Sequence, residues 1–349
     1  MNSLPFQHLV LLEPLGLLYG SAGRLLSPEA LTGRAAEHFP PDSPAIAGVL
    51  ANRLDPGSRW HLHTAGPFWW SSTEELMLPA PLTLLQERQD DQRFSRRRLS
   101  WMEGDDEHSP SGWRPADAGD PPRKAPSGGW VALSDWHRLS QDVMVAVHND
   151  PWQAVPHLHP RLREDERVSA GENALFLEYG IALEPGVRLA YLSSHEVPAG
   201  IYRFGGEGHL VQLRCQALPA ALIALLQAPL AGTFALITAG LWGGTKLSLR
   251  EPIDTSVPNG RQPWHQGGRA PAILTDKPRP WRHRLGEGNN NGRRRLSRGR
   301  WAVPAGSCYR LQGESLPPWM EWPEAWFPKE GFSFKQLGTA LALPLQAPP

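Results

Sequence analysis

The densest chemistry in the chain lies between residues 277 and 300. Arg279, Arg282, Arg284, Arg293, Arg294, Arg295, Arg298 and Arg300 stand there with Lys277 against one acid, Glu287, a local charge of +8. Trp281 and Trp301 are interleaved with them. A guanidinium pairs with phosphate through a planar fork, and an indole stacks on a base. Such a segment can order on a nucleic-acid backbone; the alternative is a solvated loop with no partner. A second cluster is Phe204-Gly205-Gly206-Glu207-Gly208-His209. Glycines let another backbone approach closely and can turn amide N–H groups toward a phosphate, although a tight turn between two strands asks for the same residues. Histidine is the third candidate. His61-Leu62-His63 and His157-Leu158-His159 would each place two imidazoles on one face of a strand. No thiol or carboxylate set completes either pair, so neither a metal site nor a cofactor is expected. His157, His159 or His209 could act as general acid or base in RNA cleavage. Gly243-Gly244-Thr245-Lys246 has the wrong order for a phosphate-binding P-loop, and the G-x-S-x-G and H-E-x-x-H signatures do not occur.

The composition around these clusters is balanced. Thirty-five basic and 35 acidic residues leave a formal net charge of zero over 349 residues. That excludes a uniformly basic coat for DNA and an acidic, disordered scaffold. Only five of the basic residues are lysine; a GC-rich coding sequence accounts for that bias as readily as phosphate recognition does. The 34 glycines and 36 prolines make the chain rich in turns without making it low in complexity. Cys215 and Cys308 are too few for a disulfide framework, which points to a reduced, cytoplasmic setting, and the N-terminus lacks the charged and apolar regions of a signal peptide. Residues 215–245 hold no charge, but Pro219, Pro229 and Gly232 interrupt them. They predict a helix over 219–228 and a buried strand over 233–239 in place of a membrane span.

The elements that must position the clusters read mainly as strands. One is expected over 6–12, followed by a helix over 45–54 with Ser43 as its N-cap and Pro44 in its first turn. Aromatic, strand-like stretches cover 60–70 and 76–85. Residues 86–129 mix Asp90, Asp91, Asp105, Asp106 and Glu107 with Arg93, Arg96, Arg97 and Arg98, the composition of a long surface loop. Strands near 155–158, 174–183, 187–192 and 209–214 follow, then the helix and strand just described. Residues 250–299 read as irregular, and 301–311 and 332–345 as strands.

Several of these segments together resemble the RAMP proteins of CRISPR effector complexes, specifically the third subunit of the Cmr (type III-B) complex. Pro41-Asp42-Ser43-Pro44-Ala45-Ile46-Ala47-Gly48-Val49-Leu50 is similar to that family's P-S-x-x-x-x-G-x-L. Gly66-Pro67-Phe68 and Leu78-Pro79-Ala80-Pro81 resemble its G-P-F and P-x-P segments. Gly171-Glu172-Asn173-Ala174-Leu175-Phe176 resembles a hairpin ending in an acid and L-F, and residues 204–209 resemble its G-G-E signature. Lys277-Pro278-Arg279-Pro280 and Arg300-Trp301-Ala302-Val303-Pro304-Ala305-Gly306-Ser307 resemble its K-P-R-P and R-x-A-V-P-A-G-S run, the most specific of the matches.

The resemblance implies an α+β fold of two tandem RRM-like (ferredoxin-like) domains. They would cover 1–213, with an insertion at about 86–129, and 214–349, with an insertion at about 250–299. It also implies a non-catalytic subunit that anchors the repeat-derived 5′ tag of a CRISPR RNA. Such a subunit docks to the large polymerase-cyclase subunit and the backbone RAMP subunit, touches target RNA only indirectly, and does not engage a membrane. RNA contact then falls to Ser43, Arg53, His157, Arg203, Gly205, Gly206, Glu207, Gly208, His209, Arg293, Arg294, Arg295, Arg298, Arg300 and Ser307. Protein docking is expected through exposed aromatics in 317–328. The alternative is a RAMP-type endoribonuclease that processes precursor RNA with a histidine such as His157 or His209.

Overall fold

The computed structural model of the protein describes residues 4–18, 39–90, 92–104, 111–117, 119, 126–160, 175–205, 208–243, 247–258, 260–285 and 296–345. From the N-terminus, β1 (His8–Pro14) leads to α1 (Pro44–Ala51), the single-turn α2 (Pro56–Arg59), β2 (Thr64–Trp70) and β3 (Leu76–Pro79). Next come β4 (Leu84–Gln89), β5 (Gln92–Met102), β6 (Gly112–Pro115), β7 (Trp130–Ala132) and β8 (Val145–Val147). The hairpin of β9 (Trp152–Pro160) and β10 (Leu175–Leu183) precedes β11 (Arg188–Ser193), β12 (Gly200–Phe204) and β13 (His209–Ala217). The remainder holds α3 (Ala220–Gln227), β14 (Thr233–Leu236), β15 (Ala272–Leu274), β16 (Arg279–Trp281), β17 (Arg300–Ala302) and β18 (Cys308–Arg310). It closes with β19 (Lys329–Glu330), β20 (Phe332–Ser333) and β21 (Ala342–Pro344). The fold is thus mixed α/β, with sheets predominating and few helices.

A seven-stranded sheet in the order β12-β13-β1-β11-β2-β3-β7 organises the molecule. An interior strand, β1, is apolar at every position from Leu9 to Leu12 because both faces of the sheet are covered. One face, with Val10, Leu12, Trp69, Tyr191, Tyr202 and Val211, packs against Ile46, Val49 and Leu50 of α1. The other, with Leu9, Leu11, Phe68, Leu78 and Leu192, packs against Leu222 of α3, Phe234, Leu236 and Tyr309. β1 and β2 are joined through α1 and lie on either side of β11, antiparallel to it. β13 flanks β1 on its other side. A second sheet runs β15-β18-β14-β21, again antiparallel at each pairing.

Several local expectations are corrected by this packing. The described part of 86–129 is not a loop: β4, β5, β6 and β8 form a small antiparallel sheet of their own. Arg98, expected at the surface, is 4% exposed. Its guanidinium donates to the Leu139 carbonyl (2.9 Å), the Val143 carbonyl (3.0 Å) and the Ser95 hydroxyl (2.9 Å). Ser43 precedes α1, but its hydroxyl donates across the core to the Leu337 carbonyl (2.5 Å) instead of capping the helix. His61 and His63 lie before β2, not within it, and His63 Nδ1 donates to the His61 carbonyl (3.0 Å). The aromatics of 317–328 face inward. Trp319, Trp322, Trp326 and Phe327 are all buried, and Trp322 packs 5.2 Å from Trp264, which in turn lies 4.9 Å from Tyr309. Most of the fifteen tryptophans are therefore core. Trp60 and Trp301 are the large exposed exceptions, at 66% and 48%. Both cysteines are free thiols, and burial pushes Cys308 up to about 11. No helix among the described residues is long and apolar enough to cross a membrane.

Candidate nucleic-acid interface

The glycine cluster is the turn of the β12–β13 hairpin, at one edge of the large sheet. Gly205 and Gly208 adopt φ of 72° and 71°, and the Gly208 amide donates to the Gly205 carbonyl (3.3 Å). A Cβ on Gly205 would meet nothing within 4 Å, so the left-handed backbone, not crowding, calls for glycine there. Gly206 and Glu207 lie outside the described residues. Tyr202 and Phe204 point into the core, so Ile201, Arg203 and Leu210 must share the opposite, solvent-facing side. Ile201 is 63% exposed and Leu210 51%. His209 faces Phe204 in the register and is half-buried.

Helix α1 brings a second cation to this hairpin. Arg53, just past its C-terminus, lies with its guanidinium 5.1 Å from the centroid of the Tyr202 ring. The ring is held in turn by its hydroxyl, which donates to the Pro198 carbonyl (2.6 Å). Among the described residues neither Arg53 nor Arg203 is paired with a carboxylate. Arg203 lies beside the turn, its Nη1 3.5 Å from where a Gly208 Cβ would stand, and Arg53 flanks the opposite face of the hairpin over Tyr202; each exposed guanidinium is suited to phosphate oxygens.

Other expected contacts fall elsewhere. His157 is exposed on β9, opposite Glu178 in the β9–β10 register and outside the large sheet that carries His209. Arg293, Arg294 and Arg295 lie outside the described residues, whereas Arg298 is exposed. Arg300 is not on the surface. It is 7% exposed, ion-paired with Glu330 and stacked 4.7 Å over Phe334. Ser307 is fully buried; its hydroxyl donates to the Pro304 carbonyl (2.7 Å) and lies 2.8 Å from Thr275 Oγ1. Ser43, at 3% exposure, is spent on Leu337. These three polar groups serve the interior, each satisfied there by a protein partner.

The basic segment itself folds back as the β16–β17 hairpin. Its inner side holds Trp281 and His283 against Phe332 and Phe334. Arg282 and Arg284 alternate with them and are exposed; the period-two spacing of Trp281-Arg282-His283-Arg284 already carried that signal. Arg279 is paired with Asp42 at the start of α1 (2.5 Å). Among the described residues no three His, Cys, Asp or Glu side chains converge to hold a metal ion.

A family model for CRISPR-associated proteins, Cas_Cmr3, matches residues 28–343. No curated protein matches the chain in sequence. Among solved structures it is similar to a chain of the type III-B Cmr-beta bound to cognate target RNA, with 14% identity, a TM-score of 0.46 and 86% of each chain covered. It is also similar to a chain of the Csm1–Csm4 cassette in complex with AMPPNP, with 12% identity, a TM-score of 0.35, and 91% of this chain and 98% of that one covered. A chain of the Csm3–Csm4 subcomplex of the type III-A CRISPR-Cas interference complex gives 9% identity, a TM-score of 0.36 and 89% and 94% coverage.

Proposed function

Because the chain belongs to the Cas_Cmr3 family of CRISPR-associated proteins, we propose that it is a non-catalytic, RNA-binding subunit of a type III-B effector complex. In this role it anchors the repeat-derived 5′ tag of a CRISPR RNA and docks to the large polymerase-cyclase subunit and the backbone RAMP subunit. It acts in antiviral defence and meets target RNA only through the guide. The observation that carries the proposal is the exposed Arg203 beside the left-handed Gly205 and Gly208 at the β12–β13 turn, with Arg53 exposed on the other face of the same hairpin over Tyr202. Arginine pairs and left-handed glycines bind a backbone by position and charge without a catalytic set. Two tandem RRM-like modules, divided near residue 213, are part of the proposal. The strand orders β13-β1-β11-β2 and β15-β18-β14-β21 are both compatible with a split β-α-β plan.

RNA copurifying with the protein or its complex should carry a fixed, repeat-derived 5′ end when sequenced; heterogeneous ends would remove the tag-anchoring role. Replacing Arg203 and Arg53 by alanine should weaken tag RNA and lower the slope of log affinity against log salt by about 0.7 per arginine. Cleavage of repeat RNA without metal, lost in His157→Ala or His209→Ala, would instead establish the endoribonuclease.

A further inference from the structure

The β16–β17 hairpin has two unlike faces. Inside, Trp281 lies 5.3 Å from Phe334, Arg300 stacks on the same ring, and Leu241, Ala302 and Leu337 close the cluster. That face holds the hairpin to the body of the protein. Outside, Pro280 pairs in register with Trp301, whose indole is 48% exposed. Arg282 and Arg284 continue the same side of the ladder, which extends through the Arg284–Leu296 bridge, and Arg298 is exposed beside it. Residues two apart on a strand are about 6.6 Å apart. Arg282 Nε donates to the Ser297 carbonyl (2.8 Å), which fixes the side chain while both terminal nitrogens find no partner among the described residues. Two acids packed near the hairpin are already paired, Glu330 with Arg300 and Asp42 with Arg279.

We infer that this outer face is a stacking platform for single-stranded RNA, with a base on Trp301 and the flanking phosphates on Arg282, Arg284 and Arg298. The charge selects the occupant. Three exposed arginines that no acid pairs with among the described residues suit a polyanion, and an exposed indole adds sequence-tolerant stacking that a phosphate site alone lacks. The RNA is taken to be the guide, which rests on the proposed function. The platform also assigns the roles within the basic segment: Trp301 stacks while Trp281 anchors, and Arg282, Arg284 and Arg298 grip while Arg300 braces.

The test measures binding of the purified full-length chain to two labelled RNAs, one carrying the repeat-derived tag and one a uridine oligonucleotide without it. Trp301→Ala should weaken both by about tenfold, Trp301→Phe should restore most of the loss, and the triple change Arg282→Ala, Arg284→Ala, Arg298→Ala should lower the salt slope by about 2. Equal affinity of wild type and Trp301→Ala for both RNAs overturns the platform, as does failure of the wild type to bind either. A Trp301-dependent loss without any preference for the tag supports the platform and removes only the tag-anchoring role.

Discussion

A single buried histidine shows how far residue chemistry in this chain departs from what composition suggests. His283 is 8% exposed, packed 5.0 Å from Trp281 and 5.9 Å from Phe334, and neither ring nitrogen has a hydrogen-bond partner among the described residues. Burial lowers its pKa from 6.5 to about 4, outweighing the Glu330 carboxylate, which acts the other way. The unfolded chain therefore takes up this proton first as pH falls. The contribution of His283 is complete above about pH 6.5, declines through the interval and is lost below about pH 4, a cost of about 3 kcal/mol. Urea midpoints measured from pH 7.5 to 4 should fall steeply in the wild type and less so in His283→Phe; parallel curves would show that another group sets the acid limb. The arginines teach the same lesson. Sequence shows a basic cluster, but Arg298 is exposed while Arg300, two positions on, is buried against Glu330. Alternation would put residues two apart on one face, but β17 begins only at Arg300; local folding gives identical side chains opposite roles, and charge counting is blind to that.

At the scale of elements, glycines separate turns that are merely left-handed from those that are also crowded. Gly338 ends the 3-10 turn Phe334–Leu337 at φ 61°, and a Cβ there would come within 2.3 Å of the Ala65 Cβ and 2.6 Å of the Thr64 carbonyl oxygen. Gly205, equally left-handed, has open space around it. Gly205→Ala should cost about 1 kcal/mol of unfolding free energy from backbone strain alone. Gly338→Ala should cost about 3 kcal/mol or more, because β2 must also move. Equal losses in chemical denaturation would contradict the packing of that turn on β2. Where sequence and structure agree, the cause is local: β1, α1, the β9–β10 hairpin, β13 and α3 all follow from periodicity, proline placement and turn residues. Where they part, a distant partner decides. β5 reads as a charged loop, yet Arg98 satisfies carbonyls about 40 residues away, at Leu139 and Val143, and no local pattern announces such partners. The candidate site divides in the same way. The glycine turn was legible as a turn, while the Arg53–Tyr202 contact and the exposed side of β16–β17 required the fold.

The whole molecule is neutral because its positive surfaces are small and its interior is large. That interior does not stop where the strand orders change. Leu9, Leu11, Phe68 and Leu192 belong to the same apolar cluster as Phe234, Leu236, Tyr309 and Leu343. Phe6 stacks on Trp319 at 5.8 Å, and Trp136 Nε1 donates to the Pro344 carbonyl (2.9 Å). Two modules built on separate sheets would ordinarily unfold one after the other, as chains of this length often do. Here each sheet supplies the cover for the other's apolar face, so losing one exposes the other to water. Far-UV circular dichroism and tryptophan fluorescence should therefore report one coincident transition in urea, although this core joins a seven-stranded and a four-stranded sheet. Phe234→Ala, in the second sheet, should lower the midpoint of both signals together. Two resolved transitions, with only one moved by Phe234→Ala, would show that the sheets are stable apart. A shared core also explains how weak, local grips can be precise. Arg53 and Arg203 on the two faces of the β12–β13 hairpin, and the β16 hairpin tied to the helix start through Arg279 and Asp42, are held in fixed relation by one cooperative body. On the proposed role, RNA held at one would meet the other already in place, so little ordering entropy would oppose the second contact.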